Sequence, residues 1–241
     1  MPLPTIETPT HELKLPSSSK KVRYRPFLVK EEKILIIALE SKNQNEITTA
    51  VTEVLKKCIL TKGIDVDSLP TFDIEYLFLN IRAKSIGEDI KLNVICPDDR
   101  KTKVPVTIYV DEIKVVKPKN HKKDIVLDDK LTLRMKYPSL SQFISSNFDT
   151  EDEAEELVDK TFKVVADCIE TIFTEEDAWD AKDYTPHERI EFVEQLNSKQ
   201  YKAIETFFET MPKLSHTIDV VNPNTKEKGS VVLEGLSDFF V

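Results

Sequence analysis

The sequence predicts an α+β fold, mainly helical, with two small antiparallel ribbon-like β-hairpins and short additional strands. Three observations carry that reading. Residues 89–115 alternate apolar and polar side chains on both sides of a polar turn, and the stretch from Ser215 repeats the pattern, which is the period-two signature of hairpins. Between them lie several segments whose apolar residues recur at the 3.6-residue period of a helix. The chain of 241 residues holds only 4 Gly against 13 Pro, which argues against folds built on glycine-rich phosphate loops.

In chain order, residues 1–20 are rich in Pro, Ser and Thr and read as an extended arm that orders only when something binds it. VRYRPF (Val22 to Phe27) reads as a short edge strand, with Pro26 favouring the edge. Glu31 and Glu32 suit the positive end of a helix whose apolar run, Ile34 to Leu39, reads as buried on most sides. A second helix places Ile47, Val51, Val54, Leu55 and Cys58 on one stripe and ends at Gly63, which makes Cys58 a small core residue. Thr71 to Ser85 forms a third, ending at Gly87, with Ile74, Leu77, Phe78 and Ile81 inward and Asp73, Glu75, Arg82 and Lys84 on its exposed side. The first hairpin follows, then a charged connector over 117–130.

LTLRMKY (131–137) alternates as a strand, and SLSQFISSNF after Pro138 reads as a short helix. Thr150 to Thr174 carries Leu157, Val158, Phe162, Val165, Ile169, Ile172 and Phe173 in helical register, the longest amphipathic helix expected. Thr185, Pro186 and Glu188 spell a capping box for the next helix. Ser198 opens another, with Tyr201, Ile204, Phe207, Phe208 and Met211 on its apolar side and Pro212 as its stop. The second hairpin and a short amphipathic stretch, Leu233 to Phe240, end the chain.

Charge divides the chain. Residues 1–123 carry 22 Lys and Arg against 17 Asp and Glu, a net of +5, while 124–241 carry 12 against 26, a net of −14. The expected organisation is therefore an arm (1–20), an N-terminal α+β subdomain with the first hairpin (21–123), and an acidic helical subdomain ending in the second hairpin (124–241). Such asymmetry suits docking to a partner of opposite charge, and it suits equally an attraction between the two halves.

Several function classes lose weight. Three widely spaced cysteines, Cys58, Cys96 and Cys168, give no disulfide framework and fit a reducing compartment. No apolar window approaches a membrane span, and no signal core is expected at the amino terminus. The basic runs Lys20, Lys21, Arg23, Arg25 and Lys117, Lys119, Lys122, Lys123 are short and sit in a chain of net charge −9, so no nucleic-acid binding is expected. HExxH and GxSxG motifs are absent, and the histidines at 11, 121, 187 and 216 fall in unrelated elements. The acidic residues lie in polar settings. Neither a catalytic residue nor a cofactor is expected, and an enzyme with an unrecognised active site is the alternative from another class.

At an offset of 126, Ile95-Cys96-Pro97-Asp98 lies over Val221-Asn222-Pro223-Asn224, each followed by a basic polar turn and a valine-rich returning strand. In a zinc ribbon, two such knuckles bring four thiolates to one metal. Only Cys96 of four remains here, so the pair reads as ribbon-like hairpins held by side-chain packing without metal.

VRYRPFLVKEEKILIIALES (22–41), ILTKGIDVDSLPTFDIEYLFLNIRAKSIGE (59–88) and FFETMPKLSHTIDVVNPNTKEKGSVVLEGLSDFFV (207–241) together resemble the T4-type phage baseplate protein family, associated with the central hub of contractile tails. The FDIEYLFLNIRAKSIGE block (72–88) is the most specific, because its order of aromatic, acidic and basic residues exceeds what an amphipathic helix requires. The resemblance implies a non-enzymatic hub subunit or hub assembly factor (chaperone) that binds other baseplate hub and tail proteins in the host cytoplasm during assembly. A permanent place in the virion tail baseplate is the second reading, and a homo-oligomer is compatible with both. It also implies knuckle cysteines in some relatives, and Asp99 and Asn222 stand at such positions here. The expected docking elements are residues 1–28, with Arg23, Arg25 and Phe27, and residues 233–241, with Phe239, Phe240 and Val241; the alternative is that both segments pack on their own domain.

Overall fold

The computed structural model describes residues 6–140, 142 and 154–239. The chain opens with strands β1 (His11–Lys14) and β2 (Lys21–Tyr24), followed by helices α1 (Val29–Ser41), α2 (Gln44–Cys58) and α3 (Thr71–Ile86). Strands β3 (Asp89–Ile95), β4 (Lys103–Tyr109), β5 (Lys114–Val116), β6 (Asp124–Val126) and β7 (Thr132–Met135) come next. Then follow α4 (Ala154–Asp167), β8 (Ile169–Phe173), β9 (Ala178–Asp180), α5 (Pro186–Glu194) and α6 (Ser198–Glu209). Strands β10 (Lys213–Val221) and β11 (Lys228–Glu234) and the short helix α7 (Gly235–Asp238) end the described chain. The architecture is α+β, with small antiparallel sheets, as the periodicities predict.

Two compact units result, and their division differs from the expected one. The first comprises residues 1–116 and 213–241, and the second residues 117–212. The charged connector does begin the second unit, but the second hairpin belongs to the first, not to an acidic subdomain running to the end. The reason is pairing. Lys213 stands opposite Val116 and Leu214 opposite Val115, so β10 lies between β5 and β11 in one antiparallel sheet. The second unit is thus an insertion between two hydrogen-bonded strands.

Helix α3 is the centre of the first unit. Leu77, Phe78 and Ile81 are fully buried, and Leu79 and Ala83 share a core with Ile90, Leu92 and Val94 of β3, Ile108 of β4, Ile218 and Val220 of β10, Leu233 and Phe239. Each such side chain contributes about 1.5–3 kcal/mol on burial. Because α3 is covered on nearly every side, Asp73 and Glu75 are buried rather than exposed, contrary to the amphipathic reading. Asp73 is satisfied by Ser17, whose amide (3.0 Å) and hydroxyl both donate to its carboxylate. Burial pushes the Asp73 carboxyl up, and the two Ser17 bonds oppose that shift. Glu75 lies beside Gly235, where φ is +72° and an added Cβ would come 3.2 Å from its Oε1.

The arm is correspondingly not free. From His11 to Lys14 it pairs with β2, Leu15 is buried, and Lys20 Nζ donates to the Gly63 carbonyl at 3.0 Å. Residues 1–5 lie outside the described residues. Strand β2 is tied in turn to the end of α2, through Arg25 N to Cys58 O (3.0 Å) and Leu60 N to Arg23 O (2.8 Å). Cys58 is fully buried and its thiol is pushed up to about 11 by burial, as a core residue requires.

The second unit carries a four-stranded antiparallel sheet in the order β6-β7-β8-β9. The helix expected through Thr174 ends at Asp167, and Ile169–Phe173 is strand β8. Ile169, Thr171 and Ile172 are β-branched and find partners in Met135, Arg134 and Leu133 of β7, so cross-strand pairing wins over helical register. Arg189 closes the helix end, reaching Asp167 at 3.1 Å and the Ala166 carbonyl at 3.4 Å. The Thr185–Glu188 capping box of α5 forms as expected. Most of the helix expected after Pro138 lies outside the described residues.

His121, which the sequence leaves in a charged connector, is buried. Its ring stacks on Tyr137 and meets Phe207, Nδ1 sits 3.1 Å from the Thr210 hydroxyl and Nε2 3.0 Å from that of Tyr137. Burial pulls its pKa down, helped by Lys117 and Lys123.

Two outcomes follow. Asp73→Ala should destabilise the first unit by about 1–3 kcal/mol and speed hydrogen exchange over residues 11–20. Unchanged protection there would show that strand pairing alone holds the arm. For the second unit, the unfolded state takes up a proton on His121 below about pH 6.5, before the folded state does. Stability is therefore lost as pH falls below the ordinary histidine range of about 6.5. Urea unfolding followed by the single tryptophan, Trp179, should show this decline in the native chain and a flatter profile in His121→Gln.

Candidate interaction surfaces

The two knuckles of the first unit share the backbone bonding of their first five residues, the second turn being one residue shorter before its strand returns. In the first, the Cys96 amide donates to Thr102 O (2.8 Å) and the Arg100 amide to Cys96 O (3.0 Å); in the second, the Asn222 amide donates to Glu227 O (2.9 Å) and the Lys226 amide to Asn222 O (2.9 Å). Each turn is closed by a residue in the left-handed region, Arg100 at φ 54° and Lys226 at φ 66°. Their tips interlock. Gly229 leaves room for Pro97, whose Cγ would stand 2.5 Å from a Cβ there.

A carboxylate holds the pair together. Asn222 Nδ2 donates to both oxygens of Asp98, at 3.1 and 2.9 Å, and the Thr225 hydroxyl donates to Asp98 Oδ2 at 2.7 Å. Asn222 Oδ1 accepts from the amides of Asn224 (2.9 Å) and Thr225 (3.4 Å), and Asn224 Nδ2 donates to the Thr102 hydroxyl at 3.0 Å. Bonds from Thr225 and Asn222 hold the Asp98 carboxyl below its ordinary range, and bonds from Thr102 and Lys101 do the same for Asp99. The ribbon positions 96, 99, 222 and 225 thus present a thiol, a carboxylate, an amide and a hydroxyl. Burial, with Asp98 and Asp99 close by, raises the Cys96 pKa, which disfavours the thiolate that a metal would bind. That donor set does not fit a structural zinc ion, and among the described residues no group of three or more His, Cys, Asp or Glu is placed to hold a metal. The 126-residue offset was the sequence signal for this clasp; the Asp98–Asn222 pairing had none.

The docking residues expected from sequence are largely consumed inside the fold. Arg25 donates to Glu31, at 3.2 and 3.4 Å, and to the Pro26 carbonyl at 2.9 Å. Glu31 is itself buried and accepts from the Leu28 amide at 2.7 Å. Burial works to raise the Glu31 pKa, but Arg25 and the Leu28 amide outweigh it and hold the carboxyl low. Phe27 is buried, its amide bonded to the Ser85 hydroxyl at 2.9 Å, and Phe239 lies in the core against α3. Arg23 remains exposed. Phe240 and Val241 lie outside the described residues.

Two other surfaces are open. The first is the outer face of α1, where Val29 (80%), Ile36 (51%) and Ile37 (57%) remain exposed. The run Ile34 to Leu39 therefore is not buried on most sides; only Leu35 and Ala38 within it face the core. The second is the acidic second unit. Residues 117–212 hold 13 Lys and Arg against 22 Asp and Glu, a net of −9, while the first unit has 21 of each, so all the net charge sits on the insertion. At the turn between β8 and β9, the Thr174 hydroxyl accepts from the amides of Glu176 (3.3 Å) and Asp177 (3.0 Å). This presents Glu175, Glu176 and Asp177 to solvent beside Trp179, with Tyr184 also exposed. No described helix is long and apolar enough to cross a membrane.

The family described as T4 bacteriophage base plate protein matches residues 8–241, which takes in both units and both knuckles. The chain belongs to that family. Neither a curated protein nor a solved structure matches it. Membership makes this a phage baseplate protein, whose partners are to be sought among the other proteins of the baseplate.

In this baseplate protein the clasp should be a stability element. Asn222→Ala strips two donors from Asp98 and is expected to cost about 2–4 kcal/mol in urea unfolding. Asn222→Asp, which sets a second carboxylate against the first, should cost more. A variant as stable as the parent would remove the clasp from that role.

Proposed function

We propose that this chain works without chemistry, as a subunit or assembly factor of the baseplate hub that binds other hub and tail proteins during assembly in the host cytoplasm. Family membership supports a baseplate role. The observation that carries the rest is the segregation of charge: a neutral unit, with Leu15 and Phe239 buried in its own core, bears an insertion that holds the entire net charge of −9. A surface of one sign with exposed aromatics, Trp179 and Tyr184, suits docking to a basic protein surface, where opposite potentials steer encounter and aromatic rings supply contact area. The arm and the carboxyl-terminal stretch, consumed as they are at Arg25, Phe27 and Phe239, cede that role to the insertion.

The test is recovery of hub proteins on the tagged full chain from infected cells. Replacing Glu175, Glu176 and Asp177 with Lys should reduce recovery of a basic hub partner several-fold, and raising salt should reduce it for the native chain. Unchanged recovery in both removes the acidic surface from the interface. Quantitative mass spectrometry of purified particles separates the two roles: an assembly factor falls far below hub stoichiometry, and a permanent component matches it.

A further inference from the structure

The outer face of α1 is apolar at its centre and charged on either side. Val29, Lys33, Ile36, Ile37 and Glu40 follow one another at spacings of four, three, one and three residues, which places all five on the side of the helix opposite the buried Glu31, Leu35 and Ala38. Lys33 and Glu40 are exposed, and neither side chain is ion-paired or hydrogen-bonded to another described residue. Their arrangement is self-complementary. The midpoint of Lys33 and Glu40 along the helix coincides with the midpoint of Ile36 and Ile37.

We propose that this face is a symmetric contact between two copies of this chain, with the two α1 helices antiparallel about a two-fold axis passing between Ile36 and Ile37. In that register residue i faces residue 73 − i of the second copy. The isoleucines lie level across the seam, Ile36 of each copy at the height of Ile37 of the other, while Lys33 of each copy meets Glu40 of the other. Burying the isoleucines therefore forms two ion pairs with no adjustment, as an isologous interface requires. The antiparallel sense is specified against its alternative: parallel helices would set Lys33 on Lys33 and Glu40 on Glu40, and would align the helix dipoles unfavourably. An unrelated partner gives no reason for charges placed symmetrically about the apolar centre. A helix of 13 residues spans about 20 Å. The contact is thus at the small end of specific interfaces, and an affinity in the micromolar range is expected.

The proposal is independent of the function proposed above, since its test needs no phage partner. Sedimentation velocity of the full chain from about 1 to 200 µM should show a monomer–dimer equilibrium. Ile36→Glu with Ile37→Glu should leave only monomer, its folding checked by circular dichroism. Lys33→Glu alone and Glu40→Lys alone should each raise the dimer dissociation constant by about fivefold or more, and the two together should return it to within about twofold of the native value. The charge variants alter only exposed side chains, so they test the register even if the double isoleucine variant fails to fold. A native chain that stays monomeric over the whole range, a dimer that survives both glutamates, or a double charge reversal that restores nothing would each overturn the proposal.

Discussion

The structure of the first unit depends on the burial of α3. A helix with Phe72, Leu77, Phe78, Leu79 and Ile81 buried has no solvated face in its first turns on which to place polar residues, and only Lys84 and Ile86 near its end are exposed. Its two early carboxylates, Asp73 and Glu75, are therefore a constraint on everything around them, because a buried carboxylate without donors destabilises by several kcal/mol. The chain meets that constraint with its own ends. Ser17, from the arm, donates twice to Asp73, and the backbone at Gly235 passes against Glu75. Segments more than 200 residues apart thus converge on one turn of one helix.

The same economy explains the knuckles. In a metal ribbon, four thiolates around one ion join two hairpins through coordinate bonds. Here Asp98 stands as a central acceptor, with Asn222 and Thr225 as donors from the opposite hairpin, and the amides of residues 224 and 225 bind the Asn222 carbonyl oxygen. The backbone geometry of a knuckle, with its left-handed fifth residue, is retained in both turns. The fold therefore needs the turn shape and a bridging polar group, and a charged hydrogen-bonded cluster supplies the bridge.

Much of this was legible in the sequence, and the failures have a common cause. Periodicity located α2, α3, α5, α6 and both hairpins, and the Thr185–Glu188 box fixed the start of α5, because those signals depend on residues close in sequence. Burial of a face depends on what covers it. Nothing near Asp73 announces Ser17, so the helix read as amphipathic. Ile34 to Leu39 read as core because apolar runs usually are, yet Ile36 and Ile37 stay more than half exposed among the described residues. Ile169 to Phe173 fit a helical stripe equally well, and only the presence of β7 beside them decides for a strand. The candidate surfaces are the least legible: Arg25, Phe27 and Phe239 have the chemistry of docking groups, and the fold spends it on Glu31, on Ser85 and on the core.

The insertion between β5 and β10 has a consequence for how the molecule forms. The first unit cannot complete the sheet of β5, β10 and β11, nor bury α3, until residues 213–241 have been made, whereas residues 117–212 contain every strand and helix of the second unit. Pairing Lys213 with Val116 closes a loop of nearly a hundred residues, and loop closure of that length is slow unless something shortens it. A second unit that folds on its own does so, since it replaces a long flexible loop by a compact body between the strands. Charge segregation supports this order: with no excess charge on the first unit, the late collapse of its termini onto α3 proceeds without self-repulsion, and the repulsion of net −9 is confined to the part whose contacts are local.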